Sequence, residues 1–211
     1  MQLNAAAFNQ FLGAIGQQFL WKQRSACPCV NPDSGAAKPS CPQCHGTGHI
    51  WAPGVACVAG IAGQKAQQEW ARFGLYQSGD AVVTIPAASP MYSMGQFDRV
   101  TMVNSTEPVS RVMTRGAPDE RFLQSVQSVT GVFWLDAYSN IVPGSIPVVN
   151  ADGTLTWGAT GAPAVGSQYS ISAVVFTEYY CFGPLASDRA DFQGASLPKK
   201  VVLRKFDLLG R

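Results

Sequence analysis

The sequence predicts a mainly β protein, an antiparallel sandwich or barrel with an N-terminal helix and a Cys-rich zinc loop. From Trp51 onward, short apolar-alternating segments are separated by turns rich in Gly, Pro and Ser, and helical periodicity is hard to find. Strands spaced about 8 to 15 residues apart without intervening helices are typical of such folds. Ahead of them, residues 27–51 hold four of the six cysteines and both histidines.

Few charges and many turn formers distinguish the composition. Charged residues make up 13% of the 211 residues, against the ~25% usual in globular proteins, while the chain holds 21 glycines and 14 prolines. This balance indicates one β-rich domain or two small ones, with a surface partly covered by partners, because few charges keep a lone subunit soluble. The net charge of +2 argues against a large electrostatic footprint for nucleic acid.

No targeting segment is visible in the first residues, because no basic stretch precedes their apolar part and Gln and Asn interrupt it. The chain also lacks a run of about 18 apolar residues, so we expect no membrane span. We therefore expect folding in a reducing cytoplasm, where clustered cysteines bind metal more often than they form disulfides.

The first predicted element is a helix from Asn4 to about Trp21, within an N-terminal segment of residues 1–24. Asn4 is a suitable N-cap, and five apolar residues recur at helical spacing: Phe8, Phe11, Leu12, Ile15 and Phe19. The other face holds Asn, Gln and Gly, which are uncharged and cost little to bury. The helix therefore packs either against a neighbouring subunit or on its own domain.

The second predicted element is a zinc-binding loop of residues 25–51. Cys41 and Cys44 form a Cys-x-x-Cys turn, which places two thiolates on one side of a tight loop, and Cys27 and Cys29 form a shorter pair. Eleven residues rich in Pro, Gly, Asn and Ser separate the pairs and allow the chain to loop back. Four thiolates in this spacing predict a closed, structural Zn²⁺ site.

Other interpretations of this loop stay open at the level of sequence. His45 or His49 can replace one CPC sulfur, because the Cys-x-Cys spacing is the tighter fit. A disulfide-stapled loop and unligated thiols are the competing interpretations, whereas a catalytic zinc is disfavoured because four thiolates leave no position for water. The segment CPQCHGTG is also similar to the CxxCxGxG unit of DnaJ-type zinc modules, over eight residues, which supports zinc.

Residues 52–211 form the predicted β-domain. Its strands are expected in these segments: EWARFGLY, DAVVTIP, FDRVTMV, VSRVMTRG, QSVTGVFWL, SIPVVNADGTLTW, SQYSISAVVFTEYY and LPKKVVLRKFDLL. The NADG stretch predicts a hairpin turn. Cys57 and Cys181 lie in apolar surroundings and are predicted to be buried core thiols.

No catalytic arrangement is recognisable in the sequence. Both histidines lie in the cysteine-rich loop, so a Ser-His-Asp or Cys-His arrangement has no free base. The motifs GxSxG, P-loop and HExxH do not occur, and the carboxylates are scattered, mostly at turns. We therefore expect no enzymatic activity.

The one basic cluster lies in the closing segment PKKVVLRKFD. On a strand, Lys200, Val202 and Arg204 share one face. Lys200 and Arg204 therefore either line a DNA-conducting channel or face solvent at a sheet edge, where lysines discourage aggregation.

Taken together, several segments resemble the neck proteins of tailed bacteriophages, the adaptor, stopper and head-completion proteins between capsid portal and tail. The similarity runs from about residue 25 to 207, and these segments carry it: CPCVNPDSG, CPQCHGTGHIW, YSMGQFDRV, TLTW, GSQYSISAVVFTEYY and LPKKVVLRKFDLL. The Cys-rich loop and LPKKVVLRK are its most specific pieces. The added helix, the zinc loop and the length depart from a minimal stopper barrel and would suit a protein that bridges two rings.

This resemblance implies a ring of six or twelve identical subunits around a DNA channel, located in the virion neck and assembled in the host cytoplasm. The implied partners are a portal or adaptor protein, a tail tube or tail terminator protein, and packaged double-stranded DNA bound without sequence specificity. Phe8, Phe11 and Phe19 are the implied interface residues, together with the loop of residues 180–193.

Two other functions compete with the neck protein. The first is a structural protein of the tail or baseplate. The second is a zinc-stabilised module of a cellular protein that binds nucleic acid or protein. Base-reading zinc modules place Lys, Arg and aromatics around the metal, whereas here only Lys38 lies between the cysteine pairs and Arg24 precedes them.

Overall fold

The computed structural model describes residues 4–61, 79–184, 191–192 and 194–206. As predicted, the fold is mainly β, with an N-terminal helix, a closed six-stranded antiparallel barrel and a cysteine cluster. The chain forms two compact units, one of Met1–Asn104 and Glu178–Arg211, the other of Ser105–Thr177. The N-terminal segment and the cysteine-rich loop belong to the first unit, and the boundaries predicted at residues 24 and 51 stay predictions.

The elements have the following bounds. The helix α1 spans Ala5–Ile15, and a short 3-10 helix spans Pro90–Ser93. The first seven strands are β1 (Gln17–Lys22), β2 (Arg24–Ala26), β3 (His49–Trp51), β4 (Val55–Ile61), β5 (Ala81–Ile85), β6 (Arg99–Thr114) and β7 (Val126–Leu135). The others are β8 (Ile141–Pro143), β9 (Val148–Val149), β10 (Leu155–Thr156), β11 (Gln168–Pro184), β12 (Asp191–Phe192), β13 (Ala195–Ser196) and β14 (Lys199–Lys205).

The N-terminal helix is shorter than predicted. The Asn4 side chain accepts a hydrogen bond from the backbone N–H of Ala7 at 3.0 Å, as expected of an N-cap, but the helix ends at Ile15. Gly16 then takes an extended conformation, and β1 begins at Gln17. A Cβ at Gly16 would overlap the side chain of Val58, so the close approach of α1 to β4 requires glycine here.

The segment after Gly16 is a strand because its apolar residues alternate. Phe19 and Trp21 are buried in the barrel core, and Phe19 is only 1% exposed. Phe19 is therefore a core residue and not the interface residue that the sequence predicted. Phe19 fits both the helical spacing that runs from Phe8 to Ile15 and the alternating pattern of a strand, which is why the predicted helix is too long.

The barrel closes within the first unit. Its strand order is β14-β5-β4-β1-β6-β11, and pairing of β11 with β14 completes the circle. β1 lies between β4 and β6, with Leu20 opposite Ala56 on one side and Thr101 on the other. Its core consists of these residues: Phe19, Trp21, Cys57, Ala59, Ala81, Val83, Ile85, Met91, Met94, Val100, Cys181, Val201 and Leu203.

Strand predictions after residue 79 agree with the structure except at β6 and at three short strands, β8, β12 and β13, which were not predicted. Segments FDRVTMV and VSRVMTRG form a single strand, β6, rather than two. Pairs such as Val149 with Leu155 confirm the predicted hairpin, in which the backbone N–H of Asn150 donates to the carbonyl of Thr154 at 2.9 Å. The predicted strand EWARFGLY lies outside the described residues, and β1 to β4 were not predicted.

The second unit, Ser105–Thr177, has a core of its own. It contains parts of β6 and β11 together with β7 and β8, in the order β6-β11-β7-β8. Buried side chains that include Phe122, Val132 and Tyr169 pack on one side of this sheet. Among the residues that the structure describes, no helix has the length and apolar content needed to cross a bilayer.

Candidate metal centre

A two-stranded hairpin presents the cysteine-rich loop. β2 pairs with β3, with Ala26 opposite His49, so the chain enters and leaves the loop at adjacent positions. At the next position, the backbone N–H of Cys27 donates to the carbonyl of Gly48 at 2.9 Å. Backbone hydrogen bonds therefore fix both ends of the loop, independently of the side chains within it.

The four cysteines of this loop converge on one point. The Sγ atoms of Cys27, Cys29, Cys41 and Cys44 all lie within 4.8 Å of one another. Cys27 Sγ is 3.7 Å from Cys41 Sγ, and Cys29 Sγ is 3.4 Å from Cys44 Sγ. Three of the four cysteines are buried and Cys29 is half-buried, so the sulfurs face each other in the interior of the loop.

The Cys41–Cys44 turn is built to hold a thiolate. The backbone N–H groups of Cys44 and Gln43 donate to the Cys41 sulfur and lower the pKa of that thiol to about 6. The chain then turns through left-handed conformations at His45 (φ 50°) and Gly46 (φ 84°), and the N–H of His45 bonds to the carbonyl of Cys41 at 2.8 Å.

The other pair behaves in the opposite way. The backbone N–H of Lys38 acts to lower the pKa of Cys29, but desolvation and the neighbouring thiols outweigh it and raise that pKa to about 12. Several thiolates crowded together repel each other, so the loop by itself keeps part of its cysteines protonated. A bound cation reverses this balance, because it stabilises all the thiolates at once.

The distances fit a tetrahedral metal ion and not disulfides. With Zn–S bonds of about 2.3 Å, the sulfurs of a tetrahedral site lie ~3.8 Å apart, close to the 3.7 and 3.4 Å separations. A disulfide requires sulfurs about 2.05 Å apart, and all six cysteines of the chain are free thiols. The four cysteines therefore form a site that could hold a metal ion.

Neither histidine belongs to the group of converging ligands. His49 Nδ1 accepts a hydrogen bond from Arg24 Nε at 2.9 Å, and its ring stacks on Phe97 with 5.3 Å between centroids. Burial and the nearby Arg24 charge lower the pKa of His49, which keeps the ring neutral. His49 thus anchors the hairpin, and the four sulfurs that could hold a metal ion are those of the four cysteines that the sequence predicted first as zinc ligands.

Asp98 joins the hairpin to the barrel. Its buried carboxylate accepts hydrogen bonds from the backbone N–H of Arg24 at 2.7 Å, from Trp21 Nε1 at 2.9 Å and from the backbone N–H of Gly95 at 2.9 Å. Trp51 Nε1 also donates to the carbonyl of Phe97 at 3.1 Å. The cysteine-rich loop is therefore attached to the barrel wall by buried and partly buried hydrogen bonds.

A buried ion pair lies in the same unit. The Arg99 guanidinium donates to Glu178 through Nε at 2.8 Å and also through Nη2, and Thr101 Oγ1 donates to the same carboxylate at 2.9 Å. The guanidinium lies over the Phe206 ring, 3.8 Å from its centroid. The sequence did not reveal this pair or Asp98, because the partners are far apart along the chain and only strand register joins them.

The predicted channel residues Lys200 and Arg204 belong to the first unit. Val201 and Leu203 point into the core, so Lys200 and Arg204 lie on the outer face of the barrel. Lys200 is exposed, whereas Arg204 is half-buried, 3.5 Å from the Asp80 carboxylate and 4.0 Å from the Phe182 ring centroid. Residues 185–190 and 193 of the predicted contact loop lie outside the described residues.

Four sulfur ligands around one ion leave no coordination position for water or substrate, so the site is suited to holding the loop rather than to reaction. No protein-family model matches the chain, and a search of curated proteins finds no similar sequence.

Cys57 and Cys181 take no part in the site and are buried, as predicted. Desolvation raises the pKa of Cys57 to about 11, which keeps that thiol protonated and unreactive.

Proposed function

We propose that Cys27, Cys29, Cys41 and Cys44 hold one Zn²⁺ ion with a structural role. The support is the closed set of four sulfurs at separations close to those of a tetrahedral zinc site. The loop between the pairs is polar and exposed from Asn31 to Ala36, and it has no apolar core of its own apart from contacts of Val30 and Ile50 with the cysteines. Metal binding therefore supplies folding free energy that this loop otherwise lacks.

Metal analysis tests this assignment directly. The purified chain should contain one zinc per chain, and replacement by Co²⁺ should give the intense visible absorption of a tetrahedral thiolate site. The matched control is Cys57→Ala, which removes a buried thiol outside the cluster and should leave metal content and spectrum unchanged. A chain that purifies without metal and gives an octahedral cobalt spectrum would contradict the assignment.

We also propose that the protein is a structural, non-enzymatic component of the phage neck, which assembles as a ring of identical subunits in the virion. The observation that carries this proposal is the amount of apolar surface left exposed on a chain with few charges. Large side chains that include Phe11, Leu135 and Ile141 are 54%, 61% and 70% exposed. Leu135 and Ile141 are paired across β7 and β8, and exposed apolar surface of this kind usually marks a protein interface.

The position in the neck comes from the sequence resemblance, which implies a portal or adaptor above, tail tube or tail terminator below, and packaged DNA in the channel. The barrel provides a rigid body for such a ring, because closure removes its sheet edges. A net charge of +2 suits a channel that DNA passes through without being held tightly. Lys200 is the candidate for that contact, since Arg204 lies beside the Asp80 carboxylate.

Native mass spectrometry and electron microscopy of the zinc-loaded chain test the ring. We expect particles of six or twelve subunits with an axial opening, and weak, salt-sensitive association with double-stranded DNA. Lys200→Glu should reduce the DNA association without changing the subunit number. A chain that stays monomeric at every concentration, alone and with a portal ring, would contradict the proposal.

A further inference from the structure

The sheet of the second unit has one covered face and one uncharged face. Its covered side packs on the core that contains Val132 and Ile171, so alternate residues point outward. Ser170 lies opposite Phe133, Leu135 opposite Ile141, and Ser172 donates to Ser110 at 3.3 Å, which places these residues on the same outer side. We call this surface the uncharged face and define it by six residues: Ser110, Val112, Phe133, Leu135, Ile141 and Ser172.

The uncharged face is unusual for an exposed sheet. Along β6, the exposed residues are Asn104, Thr106, Pro108, Ser110 and Val112, none of which is charged. Exposed sheets normally carry Lys or Glu to prevent association with other chains. Val112 is 67% exposed, and neither it nor its neighbours on the face has a charge that would have to be desolvated in an interface.

The helix α1 carries a second apolar surface. Phe8, Phe11 and Ile15 recur at helical spacing and are 45%, 54% and 57% exposed, while Leu12 on the adjacent side packs on the barrel near Gly60. We call these three residues the aromatic stripe. The helix sequence AAAFNQFLGAI contains no charged residue, so burying this surface carries no free-energy cost of desolvating a charge.

We propose that the aromatic stripe of one copy of the chain packs on the uncharged face of a second copy. The dimensions match, because an 11-residue helix is ~17 Å long and four strands spaced ~4.8 Å apart span ~14 Å between the outer strand axes. Apolar helix-on-sheet packing requires two surfaces without charge, and the described part of the chain offers a helix surface and a sheet surface that meet this requirement. Each can therefore cover the other without burying an unpaired charge.

This pairing is heterologous, since two different surfaces of the chain meet. Repetition of a heterologous contact produces rings when the rotation closes, whereas a contact of one surface with itself produces dimers. The inference rests on the proposed function for the closed ring, but the pairing itself can be tested without it. The occupant of the uncharged face is in either case a second copy of this chain.

The experiment uses two full-length variants, Phe11→Asp in the stripe and Leu135→Asp in the face. Each variant alone should associate at least tenfold more weakly than the wild type in sedimentation equilibrium. A mixture of the two should form dimers and nothing larger, because the intact stripe of one chain meets the intact face of the other. Gln10→Asp and Thr160→Asp, which place the same charge at exposed positions off both surfaces, are the controls and should associate as the wild type does.

A photo-reactive residue at Leu135 identifies the contact independently of affinity. In a mixture of isotopically light and heavy chains, cross-links should join Leu135 of one copy to residues 5–15 of another. Cross-links to the uncharged face of the second copy, or a mixture of variants that remains monomeric while the wild type associates, would overturn the pairing. If the wild type forms rings but the mixture of variants forms no dimers, the pairing is refuted and the ring is not. If the mixture forms dimers but the wild type forms open-ended assemblies, the ring is refuted and the pairing is not.

Discussion

The carboxylate of Asp98 accepts a hydrogen bond from the backbone N–H of Arg24 at 2.7 Å, and this contact holds β2, the first strand of the hairpin that presents the cysteines, against the barrel. The same carboxylate accepts Trp21 Nε1 at 2.9 Å. One buried side chain thus connects a barrel strand with the hairpin that presents the cysteines. The position of the cysteine-rich loop therefore depends on its contacts with the barrel.

Replacement of Asp98 by Asn should destabilise the barrel and the hairpin together. In asparagine an NH2 group replaces one of the two carboxylate oxygens, and this group can only donate. At least one of the three N–H groups that donate to Asp98 therefore loses its acceptor. We expect a loss of about 2–4 kcal/mol in the free energy of unfolding, measured by urea denaturation. Asp136→Asn, at an exposed turn, is the control and should cost under ~1 kcal/mol. A loss equal to that of the control would contradict the role assigned to Asp98.

Replacement of Cys41 by Ser should remove the metal and the order of the loop. Cys41 is the cysteine whose sulfur receives two backbone N–H groups, so serine loses both the ligand and its preorganised position. We expect less than one metal ion per chain, a lower melting temperature, and faster hydrogen exchange at Cys27 and His45. A chelator should produce the same changes in the wild type and none in the variant. Full metal content in Cys41→Ser would exclude Cys41 as a ligand.

Replacement of Glu178 by Gln should cost more stability than loss of the whole ion pair. The single change leaves the buried Arg99 guanidinium without a counter-charge, which costs about 3–5 kcal/mol in the free energy of unfolding. The double variant Arg99→Leu with Glu178→Leu removes both charges and should lose less. Thermal and urea denaturation of the wild type, Glu178→Gln and the double variant measure the three stabilities. A double variant less stable than Glu178→Gln would contradict this expectation and show that the ion pair itself is strongly stabilising.

The stability of the hairpin should decrease in mild acid because of His49. Burial and then Arg24 lower the pKa of His49 in the folded chain, so the unfolded chain binds more protons near and below the ordinary histidine pKa. Stability therefore rises with pH through this window and is lost as the pH falls through it. His49→Gln keeps an acceptor for Arg24 but cannot titrate. The difference in unfolding free energy between wild type and variant should shrink or change sign on acidification, and a constant difference would disprove the assignment.

Replacement of Gly16 by Ala should destabilise the junction between α1 and β1. A Cβ at this position would overlap Val58 and lie 2.6 Å from the carbonyl oxygen of Leu12, so the helix must move away from β4. We expect a cost of about 1–3 kcal/mol in the free energy of unfolding. The matched control is Gly13→Ala inside the helix, where a Cβ meets nothing within 4 Å and alanine should stabilise by about 0.5–1 kcal/mol. Equal effects of the two changes would contradict the packing of α1 on β4.

The pattern of residues predicted most of the strands after residue 79 and the convergence of the four cysteines that could hold a metal ion. β5, β7, β11 and β14 were predicted because their apolar residues alternate or form short runs between turn residues. The sequence predicts a helix for residues 17–21 because Phe19 continues the helical spacing of Phe8, Phe11 and Ile15, but these residues belong to a strand. Only the steric limit at Gly16 and the burial of Phe19 and Trp21 decide for a strand.

By itself, the sequence determined what is local: the N-cap at Asn4, the paired cysteines with the turn between them, the hairpin at residues 150–153 and the alternation of the later strands. These depend on neighbours within a few residues, whose chemistry the chain order makes visible. Tertiary structure alone decided the closure of the barrel by β11 and β14, the Asp98 and Glu178 hydrogen bonds, and which apolar residues stay exposed. Those features depend on the register between distant strands, which composition and periodicity do not specify.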